Sequence, residues 1–193
     1  MENLIKKIYN IKYSKLPHYV IPGKEITKKK RLELLETITV SGSNSMLCEH
    51  YQRQIIEEGT GSKCSKSNGI RINEETNKLG IIRNPYSGPD ASYEWTEDFD
   101  GIQKLGNYII LYNFKFIVEA GGSQTRTLKN VYSFVKAQKK IEDKKFLFVN
   151  ILDGQMCSLN MGKFSCFDED ETIYVGDSYN FFSWLDIKLE TIK

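Results

Sequence analysis

The chain has 193 residues with 40% hydrophobic and 27% charged positions, which excludes wholesale disorder and suits one globular domain. Its net charge is only +2, but residues 1–40 carry nine Lys/Arg against four Asp/Glu, and residues 150–193 carry three against eight. The chain has no apolar run long enough to span a membrane, and its N-terminus lacks the apolar core of a signal peptide. The sequence therefore predicts an intracellular protein that has no membrane partner and is not secreted.

The four cysteines give no sign of a metal or disulfide framework. Cys48, Cys64, Cys157 and Cys166 form no Cys-x-x-Cys pair, and Cys48 and His50 have the wrong spacing for a zinc knuckle. We interpret them as free thiols.

The N-terminal part, residues 1–45, has the pattern of two helices around a Pro-Gly interruption and forms a basic arm. Within it, Lys29 and Arg31 belong to a run of four cations that we expect to contact phosphates. A helix is predicted over 46–58, where apolar residues recur four apart. The polar stretch that follows, 59–89, reads as a long loop whose lysines also suit phosphate contacts, namely Lys63 and Lys66.

Two strands are predicted over 107–111 and 114–119, paired through a turn at either 105–107 or 112–113. A helix follows from 125 to about 142, capped by Ser123 or Thr125.

The apolar run 146–152 suits a strand buried on both faces of a sheet. Residues 172–175 predict a further strand, and a last helix begins after Ser178. Together these elements predict an α/β fold with a mixed central sheet flanked by helices. We divide the single domain into the arm, a core over 46–152 and a C-terminal strand-helix extension over 153–193.

Two acidic residues stand at the ends of the predicted strand pair. Asp100 precedes the first strand, and Glu119 closes the second beside a Gly-Gly break. A hairpin that brings both carboxylates to one end would form an oxygen-ligand site for Mg²⁺, with Asp98 as an alternative ligand. Such an ion polarises a phosphate and orients a water molecule.

The helix after Glu119 adds a site for anions. Free backbone N–H groups at its start attract phosphate, and glycines let a backbone approach closely. Arg126 and Lys129 add positive charge in the first turns. Carboxylates beside such a helix start suit metal-assisted phosphodiester cleavage.

This order of elements resembles the core of the restriction-endonuclease-like nucleases, the PD-(D/E)xK superfamily, over about residues 46–152. The resemblance depends on Asp100 within 99–101 and Glu119 within 117–121, supported by the following helix and buried strand. It implies a metal-dependent DNA endonuclease, of type II restriction-like action, that uses Mg²⁺ or Mn²⁺. It also implies a homodimer if both strands of a short site are cut.

The sequence departs from the family at one position. The family usually has Lys two residues after the Glu, and here that position is Gly121. Gln124, Arg126 or Lys129 are candidates for this role, and we rank Gln124 and Lys129 above Lys115. The family also often draws a Glu from the helix before the hairpin, for which the candidates are Glu49, Glu57 and Glu58.

Two other functions stay open. Gly121 favours a catalytically inactive module of the same fold that binds nucleic acid or protein. The segment 121–123 also suits a phosphate or nucleotide at the helix start, although it has neither the Walker pattern nor the full dinucleotide fingerprint.

Overall fold

The computed structural model describes residues 44–87, 91–117 and 122–190. Most of the predicted basic arm, with Lys29 and Arg31, lies outside the described residues, as do Glu119 and Gly121. In the part that is described, no helix is long and apolar enough to cross a membrane.

The described residues form an alternating series of helices and strands. In chain order they are α1 (Asn44–Thr60), β1 (Ile70–Asn73), β2 (Lys78–Ile81), β3 (Gly101–Leu105), β4 (Tyr108–Phe116), α2 (Gly122–Gln138), β5 (Phe146–Asp153), α3 (Gln155–Asn160), a 3₁₀ helix (Met161–Phe167), β6 (Ile173–Gly176) and α4 (Ser178–Glu190). The helices expected near 46–58 and 125–142, the strand near 146–152 and the last strand and helix are therefore confirmed. Capping of the second helix by Ser123 or Thr125 is wrong, because α2 begins at Gly122 and both residues lie within it.

The central sheet has the strand order β3-β4-β5-β6. β3 and β4 form an antiparallel hairpin, whereas β5 runs parallel to both β4 and β6. The predicted α/β fold with a mixed sheet is thus confirmed. β5 carries the continuous apolar run, and seven of its eight residues are buried, as expected for an inner strand.

Helices cover both faces of this sheet. On one face, α1 and α4 pack against it through Ile55, Ile56 and Phe181, which are fully buried. On the other face, α2 contributes Val131 and Val135, with apolar residues of α3 and the 3₁₀ helix beside them. The alternation of side chains along β4 and β5 supplies both cores.

The structure corrects two expectations about loops and turns. The turn of the hairpin lies at Gly106, which has a φ of 56°, so the expected turn at 105–107 is confirmed and the alternative at 112–113 is wrong. The two strands expected over 107–111 and 114–119 are one continuous strand, β4, and its hairpin partner is β3. The polar stretch 59–89 is not all loop, because it contains the two-stranded β1–β2 sheet. Asn73 and Asn77 produce its turn, the first by accepting backbone hydrogen bonds and the second by adopting a φ of 53°.

Candidate active site

Asp100 lies directly before β3 and opposite the C-terminal part of β4. Its backbone N–H donates to the carbonyl oxygen of Tyr112 at 2.8 Å, which continues the hairpin ladder. Its Oδ2 accepts a hydrogen bond from the Phe114 backbone N–H at 2.7 Å. The hairpin therefore fixes this carboxylate in position, with 17% of the side chain exposed.

Lys115 is the cation that meets Asp100. Its Nζ lies 3.5 Å from Oδ2 of Asp100 and 3.5 Å from Oε2 of Glu97. The Lys115 side chain is 19% exposed, so this group is half-buried at one end of the hairpin. We refer to Glu97, Asp100 and Lys115 as the Lys115 cluster.

Burial and like charges shift the acids of the Lys115 cluster. Burial raises the pKa of Asp100, against the lowering effects of Lys115 and the Phe114 N–H. Burial and the negative charge of Asp100 also raise the pKa of Glu97, whereas the positive charge of Lys115 lowers it. Burial disfavours the Lys115 ammonium, but the carboxylates of Asp100 and Glu97 outweigh it and raise the lysine pKa. Two acids thus share one lysine.

Helix α1 adds charged groups to the edge of the Lys115 cluster. Burial, and then the negative charge of Asp100, raise the pKa of Glu49, whereas Lys115, Arg53 and Lys66 lower it. The Arg53 guanidinium is buried and donates to the Asp100 carbonyl oxygen at 3.0 Å. Glu49, one of the three glutamates considered in this helix, is thus affected by the charges of Asp100 and Lys115.

The other two glutamates of α1 have different surroundings. Oε1 of Glu57 accepts the Cys64 backbone N–H at 3.0 Å, which fixes the loop after the helix. Glu58 is exposed. Lys63 and Lys66, expected to contact phosphates, are both exposed, and the effect on Glu49 places Lys66 near the cluster.

Asp98, the alternative metal ligand, pairs with a different cation. Its Oδ1 lies 3.1 Å from Nη2 of Arg71, which is itself buried and donates to the Thr96 carbonyl oxygen at 2.6 Å. Asp98 is therefore the acid that holds Arg71 in place, although it lies between the two acids of the Lys115 cluster in the sequence.

The predicted residues of α2 form an exposed basic surface. Arg126 and Lys129 are exposed in its first turns, and Gln124 lies in the same helix. The helix contains no acidic residue, and the exposed cations continue past its end. We call this the α2 basic face, and its residues are Arg126, Lys129, Lys136, Lys139 and Lys140.

The sequence ranked Lys115 below Gln124 and Lys129 and did not single out Glu97. Lys115 stands two residues after Asn113 on the same face of β4, which is the acid-to-lysine spacing of the resemblance described above with an amide in the place of the acid. That spacing is the sequence signal that could have drawn attention to Lys115. Asn113 is fully buried, and its Nδ2 donates to Oδ1 of Asn150 at 3.1 Å.

A second buried carboxylate lies at the end of β5. Asp153 is 1% exposed and accepts the backbone N–H and the hydroxyl of Ser178 at 3.0 Å each. Nε2 of Gln52 donates to its other oxygen at 2.9 Å. Burial raises the Asp153 pKa to about 6, against the hydrogen bonds from Ser178 and Gln52. We refer to Gln52, Asp153 and Ser178 as the Asp153 cluster.

The described residues contain no group of three or more His, Cys, Asp or Glu side chains arranged to hold a metal ion. Asp100 and Glu97 nevertheless supply carboxylate oxygens, which suit Mg²⁺ or Mn²⁺. Oε1 of Glu97 is buried and accepts no hydrogen bond from any residue that the structure describes, so this oxygen fits a cationic ligand.

Comparisons with protein-family models, with curated proteins and with solved structures found no match to this chain. The Lys115 cluster and its surroundings are therefore the basis for a functional assignment.

Proposed function

We propose that this protein is a metal-dependent nuclease that hydrolyses DNA phosphodiester bonds, built on a restriction-endonuclease-like core. The observation that carries the proposal is the Lys115 cluster, in which two acids and a lysine meet beside the hairpin β3–β4. The flanking helices and the parallel strand β5 agree with such a core.

The acids of the Lys115 cluster are suited to a divalent cation. Asp100 and Glu97 both carry raised pKa values because burial removes water from them, and they share only one ammonium. A cation bound to their oxygens would offset that cost, and Mg²⁺ or Mn²⁺ would supply charge stabilisation at the scissile phosphate. Glu49 is placed to add to the negative potential at this site.

Lys115 would act as a fixed positive charge. Burial lowers its pKa, but the carboxylates of Asp100 and Glu97 outweigh burial and raise it, which favours the protonated ammonium. A protonated lysine beside the reacting phosphate stabilises the negative charge that develops on the phosphate oxygens. The acids hold its Nζ at 3.5 Å from each carboxylate, so that little reorganisation is needed.

The α2 basic face supplies a surface for the DNA backbone. It belongs to a helix that begins six residues after β4 ends and packs against the same face of the sheet as Lys115. Arg126 and Lys129 lie in the N-terminal half of this helix, which follows β4 in the chain. Lys66, whose charge acts on Glu49, adds a further cation near the cluster. If both strands are cut at a short site, we propose that the enzyme works as a homodimer.

Cleavage of supercoiled plasmid in the presence of Mg²⁺ or Mn²⁺ tests the proposal. We expect cleavage by the wild-type chain that EDTA abolishes, and a loss of about 100-fold or more in Glu97→Gln. Asp143→Asn is the matched control, because Asp143 pairs with Lys145 on the exposed surface, and it should keep full activity. A folded protein that cleaves with none of these metals would overturn the enzyme proposal.

A second pair of variants decides which acid accompanies Asp100. Glu119, expected from sequence as the second metal ligand, lies outside the described residues, whereas Glu97 contacts Lys115 at 3.5 Å. If Glu97 fills this role, Glu97→Gln weakens Mn²⁺ binding in calorimetry and Glu119→Gln does not. The opposite result restores Glu119 to the metal site.

Asn113 favours one alternative, a catalytically inactive module of the same fold that binds nucleic acid. The family pattern has an acid two residues before the lysine, and here a neutral amide is buried with Asn150 and Gln138. Under this alternative the protein binds DNA through the α2 basic face without cleaving it, and Asn113→Asp would be expected to create or increase metal-dependent cleavage.

A further inference from the structure

Two tyrosines form an exposed aromatic surface near the Lys115 cluster. Tyr93 is 85% exposed and Tyr86 is 48% exposed. Their rings stack with centroids 6.2 Å apart and planes inclined by 22°. One face of the Tyr93 ring can therefore be covered by Tyr86 while most of its surface remains open to a ligand.

Tyr86 is held rigidly beneath Tyr93. Its one hydroxyl proton is shared between the carbonyl oxygens of Trp95, at 2.5 Å, and Thr96, at 3.1 Å. The guanidinium of Arg71 lies 5.6 Å from the ring centroid. Arg71 is fixed in turn by hydrogen bonds to the backbone of Ile82 and Thr96. Tyr86 is therefore a fixed surface against which the Tyr93 ring packs.

The same contacts connect the tyrosines to the proposed catalytic site. Thr96, whose carbonyl accepts from both Tyr86 and Arg71, immediately precedes Glu97 of the Lys115 cluster. Arg71 also holds Asp98, which lies between the two acids of that cluster. A ligand on Tyr93 is thus bound on the segment that presents Glu97 and Asp100.

We propose that Tyr93, supported by Tyr86, stacks on an unpaired nucleobase, so that the proposed nuclease prefers DNA that carries a single-stranded segment. This inference rests on the proposed function for the identity of the ligand. Bases in a duplex are covered by their neighbours, whereas an unpaired base exposes its faces to an aromatic side chain. The open Tyr93 ring fits that flat ligand and needs no sequence-specific contact.

Fluorescence anisotropy in EDTA tests the proposal without requiring cleavage. Three labelled probes of equal length are used: an oligothymidylate strand, a strand of abasic sites with the same phosphates, and a blunt duplex. We expect the wild-type chain to bind oligothymidylate about tenfold more tightly than the abasic strand, as one stacked base provides. Tyr93→Ala should remove that difference and leave abasic binding unchanged, and Tyr93→Phe should preserve it.

Leu159→Ala is the matched control, because Leu159 is 72% exposed on a different element, and it should bind all three probes as the wild-type chain does. Equal affinity for oligothymidylate and the abasic strand would overturn the proposal, as would a loss in Tyr93→Ala that is as large for the duplex as for the single strand. Absence of cleavage with a retained preference for bases would contradict only the nuclease proposal.

Discussion

The Lys115 cluster is half-buried and the Asp153 cluster is buried, and both lie at the central sheet, but their partners differ. Asp153 accepts hydrogen bonds on both oxygens, and each of its donors belongs to an element that packs on the sheet. In the Lys115 cluster, two acids lie beside one ammonium at 3.5 Å, and one oxygen of Glu97 accepts nothing from the described residues.

The difference separates a structural acid from a candidate catalytic one. Asp153 joins α1 to the start of α4 and is 1% exposed, so no substrate reaches it in the folded protein. Asp100 keeps 17% of its side chain exposed. A raised carboxyl pKa occurs in both clusters, and it therefore does not identify the active site by itself.

The largest expected effect is on cleavage by Lys115→Met, which removes the charge and keeps an apolar chain of similar length. We expect the rate to fall by about 100-fold or more. Lys144→Met is the control, since Lys144 makes only an exposed ion pair with Glu171. Plasmid cleavage is measured for both variants, and circular dichroism confirms that each is folded as the wild-type chain is. A Lys115→Met rate within about threefold of wild type would contradict the role of this lysine.

Asp153→Asn should change the pH dependence of stability. The Asp153 pKa rises from 3.8 to about 6 on folding, so the folded chain keeps a proton that the unfolded chain releases between these values. Its contribution to the free energy of unfolding, about 3 kcal/mol, is therefore complete below about pH 4 and is lost as the pH rises to about 6. Urea unfolding at a series of pH values across this window should show that the Asp153→Asn variant lacks this loss. Parallel curves for the two proteins would contradict the raised pKa.

Ser178→Ala should have a smaller effect within the same cluster. It removes the hydroxyl that donates to Asp153 and leaves the backbone N–H in place. We expect a loss of about 1 kcal/mol in the free energy of unfolding, and no change in cleavage. Ser165→Ala is the control, because the Ser165 hydroxyl donates to the Gly162 carbonyl at an exposed site. A cleavage defect in Ser178→Ala would show that the two clusters are not independent.

The sequence was sufficient for the elements whose apolar pattern decides their position. The buried run in β5 and the four-residue spacing in α1 both correspond to observed elements. The β1–β2 hairpin was missed because its strands have four residues each, too few for a periodic signal, and its packing depends on distant contacts such as Trp95 over Gly80.

The candidate site was harder to predict because it depends on register. Turns at 105–107 and at 112–113 were both compatible with the sequence, and only the first brings Lys115 to Asp100. Glu97 gave no signal, since it precedes β3 in an irregular segment, and its approach to Lys115 is a tertiary contact. Local patterns therefore identified Asp100 but not its partners.

The most direct test compares Asp100→Asn with Asp153→Asn in single-turnover cleavage of a labelled DNA substrate. Both changes replace a carboxylate by an amide of the same shape, at a half-buried position beside the hairpin for Asp100 and at a buried position at the end of β5 for Asp153. If the Lys115 cluster is the active site, Asp100→Asn loses about 100-fold or more in rate and Asp153→Asn stays within about threefold of wild type. Equal rates for the two variants, or a loss of rate confined to Asp153→Asn, would show that the Lys115 cluster is not the active site.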